Sequence, residues 1–134
     1  MNGLDAVAAA ASRLLTQEIP RAVYSHGVPD GTLPTRYLVV WGADGSEEAT
    51  RAADTVDALS LVVWVTSVSR NADGQVAAHE AAWGASRARA ALRNYRPEGR
   101  WAFRAESSSP ARRDESIPDT TFYAVEQFRL RSTV

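Results

Sequence analysis

The segment from Leu59 to Ser69 constrains the fold of this chain more than any other stretch. Its centre, from Leu61 to Val65, is a nearly continuous run of apolar residues that are mostly β-branched or aromatic. Such a run is typical of a strand inside a sheet. Because it lacks polar alternation, it predicts a central strand that is covered on both faces. The rest of the chain has to supply the neighbours of this strand.

Four other segments have the character of strands. The longest runs from Thr120 to Arg131 and alternates between two faces, although Glu126 interrupts the apolar one. The segment from Arg36 to Trp41 is β-branched and aromatic, and Pro34 and Gly42 bound it. The predicted strands, in chain order, are Ala22–Tyr24, Arg36–Trp41, Leu59–Ser69, Arg100–Arg104 and Thr120–Arg131.

Two segments have the 3.6-residue period of helices. The first runs from Leu4 to Glu18 with Asn2 as its N-cap, and the second runs from Gly74 to Asn94 with Asp73 as its N-cap. A stripe of small side chains on the second helix allows its backbone to approach a sheet closely. The apolar stripe of the first helix consists of Leu4, Val7, Ala8, Ala11, Leu14 and Leu15, and the small stripe of the second consists of Ala77, Ala81, Gly84, Ala88 and Ala91.

Together these elements predict an α+β fold, in which two helices pack mainly on one face of an antiparallel sheet of about four to five strands. The 134 residues are close to the usual size of one domain, so we expect a single domain over residues 1–134. Two polar segments, Gly42–Ala58 and Glu106–Pro118, are expected to project from it as long solvated loops.

Composition excludes several classes of function. The net charge of −1 offers little of the clustered positive charge that nonspecific nucleic-acid binding requires. The absence of cysteine excludes a disulfide framework, a thiol nucleophile and a thiolate zinc site. No apolar run reaches the about 20 residues that cross a bilayer, and the first residues lack a basic leader. We therefore expect a soluble, intracellular protein that does not engage a membrane.

The residue types that carry catalysis do not form a recognisable constellation. His26 and His79 are far apart in sequence and have no neighbour at metal-ligand spacing, so each is expected to be exposed or locally bonded. Glu47 and Glu48 lie in a polar segment, where nothing apolar would raise the pKa of a general acid. The run Ser107–Ser109 is explained by a linker, and no phosphate-binding loop is present. The sequence predicts no catalytic residue, no bound metal and no cofactor.

Three pieces of the chain, in their order, resemble the tail terminator (tail-completion) proteins of long-tailed bacteriophages, especially those that infect actinobacteria. The first piece is the helix Leu4–Glu18 leading into the strand that starts at Arg36. The second is Val65–Asn71, a strand that passes directly into the second helix. The third and most specific piece is the ending from Pro118 to Arg131.

The resemblance implies a structural virion protein without catalysis. Such proteins form a ring, usually hexameric, that caps the tail tube and ends its polymerisation. The ring would bind the major tail tube protein on one side and the head-tail connector or stopper protein on the other. Phage DNA would pass through the bore without specific binding. The implied location is the neck region of the virion tail, after assembly in the host cytoplasm.

A ring joins one patch of each subunit to a different patch of the next, and exposed strand edges and projecting loops are candidates for those patches. Opposite charges on the two polar segments could steer such contacts. The alternative, that both segments are only solvated, stays open for each residue. The candidate interface residues are Asp44, Glu47, Glu48, Arg112, Arg113, Arg129 and Arg131.

Two other classes of function remain. One is another neck component, such as a head-closure or connector protein, which would purify with filled heads instead of tail tubes. The other is a small hydrolase that uses His26 or His79, which substitution of both histidines would test.

Overall fold

The computed structural model describes residues 2–43, 60–97 and 101–132 of the chain. These residues form two helices and one sheet, which confirms the predicted α+β class. The elements are α1 (Gly3–Thr16), β1 (Ala22–Ser25), β2 (Arg36–Ala43), β3 (Ser60–Arg70), α2 (Gly74–Leu92), β4 (Trp101–Ser108), β5 (Arg112–Arg113) and β6 (Thr121–Ser132).

The sheet has the strand order β1-β2-β3-β6-β4, and the short β5 also pairs with β6. It has six strands, one more than the upper end of the prediction. It is antiparallel except at one edge, where β1 runs parallel to β2 with Ala22 opposite Tyr37. The turn-rich segment between these strands returns the chain to the start of β2, with Gly27 and Gly31 at φ 147° and 100°. Glycine adopts such angles without a steric penalty, which makes this tight return possible.

The prediction of a projecting loop over Glu106–Pro118 is wrong in part, since residues 106–108 and 112–113 belong to strands. β4 continues to Ser108 after a bulge between Ala105 and Ser107, and β5 pairs with β6 further along the same edge. The Asp114 amide then donates to the Thr121 carbonyl at 2.8 Å. Backbone hydrogen bonds form this edge whatever the side chains are, so a polar sequence concealed it.

The predicted loop Gly42–Ala58 has a different outcome. Gly42 and Ala43 belong to β2 and pair with Val63 and Val62 of β3. The remainder, residues 44–58, lies outside the described residues, so its prediction is untested.

Helix α1 begins with the predicted N-cap. The Asn2 side chain accepts from the Asp5 amide at 2.9 Å, and the Asp5 carboxylate accepts from the Asn2 amide at 3.1 Å. These two bonds form a capping box, which satisfies backbone donors at the helix start. The helix ends at Thr16, two residues before the predicted boundary at Glu18, which has φ 55°.

The predicted apolar stripe of α1 is only partly buried. The side that packs on the rest of the fold consists of Gly3, Ala6, Val7, Ala10 and Leu14. Leu4 and Leu15 point to solvent instead, with 67% and 63% of their surface exposed. The prediction assigned both leucines to the buried stripe. When most residues of a helix are alanine, the apolar pattern does not determine how the helix is rotated about its axis.

Helix α2 confirms the predicted small-residue stripe. The Asp73 side chain caps it by accepting from the Gln75 amide at 2.9 Å. The helix ends at Leu92, and Asn94, the predicted last residue, has φ 65°. All five residues of the small stripe are buried against the sheet: Ala77, Ala81, Gly84, Ala88 and Ala91. This burial holds α2 close to β3 and β6.

The core lies between the two helices and one face of the sheet. Phe103 and Phe128 are fully buried there, and their rings meet edge to face with centroids 6.2 Å apart. Glu126, which interrupts the apolar face of β6, is also buried. Its carboxylate accepts from Ser108 Oγ at 2.5 Å and lies 3.6 Å from Arg89 Nη1 of α2. A buried carboxylate needs such partners, which explains the break in the apolar pattern.

Among the described residues the central strand β3 is covered on one face only, whereas the prediction was two covered faces. Its described side chains alternate strictly between buried and half-buried from Leu61 to Ser69. Val63 and Val65 are fully buried under the helices, whereas Val62, Trp64 and Thr66 point to the other side. Both helices contact the sheet from the same side, so in residues 2–43, 60–97 and 101–132 no element covers the second face.

Candidate functional site

The candidate site is the side of the sheet that points away from α1 and α2, which we call the open face. Strand register places its side chains, because directly opposite residues project to the same side of a sheet. Its members include Tyr24, Tyr37, Val39, Trp41, Val62, Trp64, Thr66, Val68, Arg104, Glu106, Ser107, Arg112, Tyr123, Val125, Gln127 and Arg129.

Aromatic rings dominate the β1–β2–β3 side of the open face. Trp41 and Trp64 are directly opposite each other, and their indole rings stack with centroids 4.4 Å apart and an interplanar angle of 16°. Tyr24 and Tyr37 meet edge to face at 5.8 Å. Partial burial raises the pKa of Tyr37 above its ordinary value. This part of the open face therefore offers a large apolar surface made of rigid rings.

Hydrogen bonds fix both indoles. Trp41 Nε1 donates to Thr66 Oγ1 at 3.1 Å, and Trp64 Nε1 donates to Gln127 Oε1 at 3.3 Å. A further surface could therefore cover both rings without leaving these two donors unsatisfied.

A polar ladder crosses the β6–β4 side of the open face. Gln127 Nε2 donates to Glu106 Oε2 at 2.7 Å, and Arg129 Nε donates to Glu106 Oε1 at 2.9 Å. Arg104 lies directly opposite Arg129 and is exposed. Among the described side chains Arg104 has no ion-pair partner, so this part of the open face carries more positive than negative charge.

An apolar surface with a bordering polar network is typical of a protein–protein contact. Aromatic residues and arginine are enriched in such contacts, and the rim is polar. Contiguous exposed apolar surface on a soluble domain also marks interaction sites in general. The open face can therefore bind another protein surface, and its aromatic part is the expected source of affinity.

The two edges of the sheet are weaker candidates for docking than the open face. One edge is β1, which has only four residues. The other consists of β4 and β5, which a bulge between Ala105 and Ser107 and the proline at Pro110 interrupt. Short strands, bulges and proline hinder pairing with a further strand.

The structure brings few of the sequence-predicted interface residues together. Arg129 belongs to the polar ladder. Arg112 and Arg113 are exposed on β5; Arg112 is opposite Tyr123 and so belongs to the open face near the start of β6, whereas Arg113 is opposite Phe122 on the helix side. Arg131 lies in β6 opposite Ala102, but its side chain is outside the described set. The three predicted acidic residues, Asp44, Glu47 and Glu48, lie outside the described residues.

Residues with catalytic potential are dispersed. His26 and His79 are both exposed, as predicted. In the part of the chain that the structure describes, no group of three histidine, aspartate or glutamate side chains could hold a metal ion. Ser108 and Ser109 serve structure, since Ser108 bonds Glu126 and the Ser109 amide donates to the Val125 carbonyl at 2.9 Å.

Sequence reasoning missed the main features of the open face. It predicted a central strand covered on both faces, so it did not distinguish the side that carries Trp64. It also placed Glu106 in a loop, so the contacts of Glu106 with Gln127 and Arg129 were not foreseen. The alternation of β6, which puts Gln127 and Arg129 on the side opposite Phe128, was the one usable signal.

Comparisons with known proteins leave the family of this chain open. No model of a protein family matches it, and neither does any curated protein sequence. Among the described residues, neither helix has the length and apolar character that crossing a membrane requires.

Proposed function

We propose that this chain is a structural virion protein whose copies form a ring, with six as the expected number, that caps the tail tube of a long-tailed bacteriophage. The ring ends tube polymerisation and provides the docking face for the head connector. The observation that supports this proposal best is the open face, a rigid aromatic surface that none of the described elements covers.

The open face supports an assembling protein over an enzyme. Its two tryptophans are locked by a stack and by hydrogen bonds, so docking would cost little side-chain entropy. Its charged groups are arranged in a ladder beside the aromatic rings and not in a cleft around a reactive group. A surface of this kind binds a partner through its shape and leaves that partner chemically unchanged.

The proposed partners are other copies of this chain, the major tail tube protein, and the connector or stopper protein of the head. The bore would let DNA pass without specific binding, in keeping with the net charge of −1. The proposal includes no cofactor, no catalytic residue and no membrane. Its location is the tail neck of the virion, after assembly in the host cytoplasm.

Electron microscopy of particles made without this chain tests the proposal. Loss of the cap should leave tube growth unterminated, so the tails should be longer than normal and of variable length. Supplying the wild-type chain from a plasmid should restore a single length. Tails of normal length that stay attached to heads would contradict the proposal. Normal free tails beside filled heads that leak DNA would indicate a head-closure protein instead.

A further inference from the structure

Beside its buried side, α1 carries a second apolar stripe, which we call the outer stripe. It consists of Leu4, Ala8, Ala11 and Leu15, which lie on one line along the helix at spacings of four, three and four residues, and of which Ala11 packs partly against the core. Leu4 and Leu15 are 67% and 63% exposed, and Ala8 is exposed as well. In an amphipathic surface helix that side would be polar, so the stripe itself is a candidate contact.

The outer stripe and the open face of one chain cannot reach each other. α1 packs against β1, β2 and β3 from the helix side of the sheet, with Val7 and Leu14 buried beneath it. Its outer stripe lies beside this buried side, on the helix side of the sheet, whereas the open face lies on the opposite side of the sheet. If these two apolar surfaces cover each other, they do so between different copies.

We infer, on the basis of the proposed ring, that the outer stripe of α1 in one copy docks on the open face of the next copy. Because the two surfaces differ, each copy offers one of each and the contact is heterologous. Heterologous contacts build closed rings or open helices and do not stop at a dimer. Covering a sheet face with a helix is also the usual way in which such a face is buried.

The charges of the two surfaces are complementary. The outer stripe is flanked by Asp5 at its start and by Glu18 just beyond its end, and both are exposed. The one basic residue of α1, Arg13, is held on the other side, where its Nε donates to the Ala91 carbonyl at 3.1 Å. Among the described side chains on the β6–β4 side of the open face, two arginines, Arg104 and Arg129, stand against one carboxylate, that of Glu106.

The dimensions of the two surfaces suit a helix that lies on the open face. Leu4 to Leu15 spans about 16 Å along α1 at 1.5 Å per residue. The strands β2, β3, β6 and β4 are together about 14 Å wide at their usual spacing.

Engineered cysteines test the contact directly, because the chain has none of its own. The double variant Leu15→Cys/Val39→Cys carries one thiol on the outer stripe and one on the open face. After mild oxidation, non-reducing electrophoresis should show a ladder of covalent multimers that ends at one closed species. Mixing the two single variants should give a covalent dimer and nothing larger, since each copy then has one thiol. Thr66→Cys in place of Val39→Cys gives a second position on the open face.

A matched control is Ser86→Cys/Val39→Cys, in which the first thiol lies on the exposed side of α2 and should not cross-link. Circular dichroism and thermal unfolding establish that each variant is folded. Dimers from Val39→Cys or Thr66→Cys alone would show a symmetric contact between open faces and overturn the inference. No cross-linking from any variant would also overturn it, as expected if residues 44–59 of the same chain, or another protein, cover the open face.

This test is separable from the test of tail length. A ladder of cross-linked multimers, together with tails of normal length in particles made without the chain, would support the contact and refute the tail function. Overlong tails without a ladder would keep the tail function and refute this contact.

Discussion

The indole ring of Trp41 stacks on that of Trp64 with centroids 4.4 Å apart, on the side of the sheet that α1 and α2 leave uncovered. Aromatic stacks of this size are usually part of a core, where burial adds to their stability. Here Trp41 is still 40% exposed. Folding of one chain therefore leaves part of this apolar surface in water, and a second molecule can remove it.

Replacing Trp41 with serine should separate folding from association. Because Trp41 is partly buried and stacks on Trp64, we expect a loss of about 2–4 kcal/mol in the free energy of unfolding, from the buried area and the aromatic pair together. Self-association should weaken at least about tenfold, since tryptophan is a frequent hot spot. Urea denaturation and sedimentation velocity measure the two effects. The control Trp83→Ser changes a half-buried tryptophan of α2 and should leave association unchanged. If Trp41→Ser associates as strongly as the wild type, copies of the chain do not associate through the open face.

Reversing the charge of Glu47 and Glu48 tests the steering role predicted from the sequence. The double change to arginine should weaken ring formation at low salt and have little effect at high salt, because screening removes the interaction. Adding Arg112→Glu and Arg113→Glu should recover the loss if those are the partners. Ring formation that is the same at every salt concentration would reject this assignment.

Substitutions to alanine at Ser67 and at Gly84, which meet between β3 and α2, should change the stability of the fold in opposite directions. Ser67 Oγ is buried without a hydrogen-bond partner in the described part of the chain, so Ser67→Ala should stabilise the fold by about 1 kcal/mol. A Cβ on Gly84 would overlap Ser67 Oγ, so Gly84→Ala should destabilise the fold by about 1–3 kcal/mol.

In the double variant the cost of Gly84→Ala should be smaller, since the alanine Cβ would then meet the Cβ of residue 67 at 3.3 Å and Leu38 Cδ2 at 3.5 Å, without the close Ser67 Oγ. Chemical denaturation of the four proteins measures this coupling. If the changes in the free energy of unfolding of the two single variants add up to that of the double variant, α2 does not pack on β3 through this contact.

The turn after β5 should respond to pH. Ser116 donates to the Asp114 carboxylate from both its hydroxyl and its amide, which holds the pKa of Asp114 below its ordinary value. The carboxylate form therefore favours the folded turn above the ordinary pKa, and this contribution is lost as the pH falls through the lowered pKa. Ser116→Ala should raise the pKa of Asp114 in an NMR titration. The control Ser109→Ala should leave the pKa of Asp114 unchanged. An unchanged pKa in Ser116→Ala would contradict the hydrogen bonding between Ser116 and the Asp114 carboxylate.

Periodicity predicted the elements that depend on local sequence. The caps at Asn2 and Asp73 were predicted because capping depends only on residues a few positions apart. The alternation of β6 was also predicted, including the break at Glu126. What the sequence did not reveal is the partner of that carboxylate, because Arg89 and Ser108 reach it only through tertiary packing.

The missed features are those that depend on which side of an element is covered. The run around Trp64 is apolar on both sides, so sequence alone suggested two covered faces. Leu4 and Leu15 were assigned to the core for the same reason. Both errors place apolar residues on the surface of the folded chain, and they lie where we infer contact with another copy.

The parallel pairing of β1 and the edge strand β5 were missed for another reason. Four- and two-residue strands are too short to show a period, and their pairing depends on where the turns at Gly31 and Asp114 direct the chain.

Cryo-electron microscopy of purified tails tests the central claim most directly. The account predicts a single ring of this chain at the head-proximal end of each tube, with the outer stripe of α1 in each copy against the open face of the next. Absence of the chain from the tails, or its distribution along the whole tube, would contradict the account.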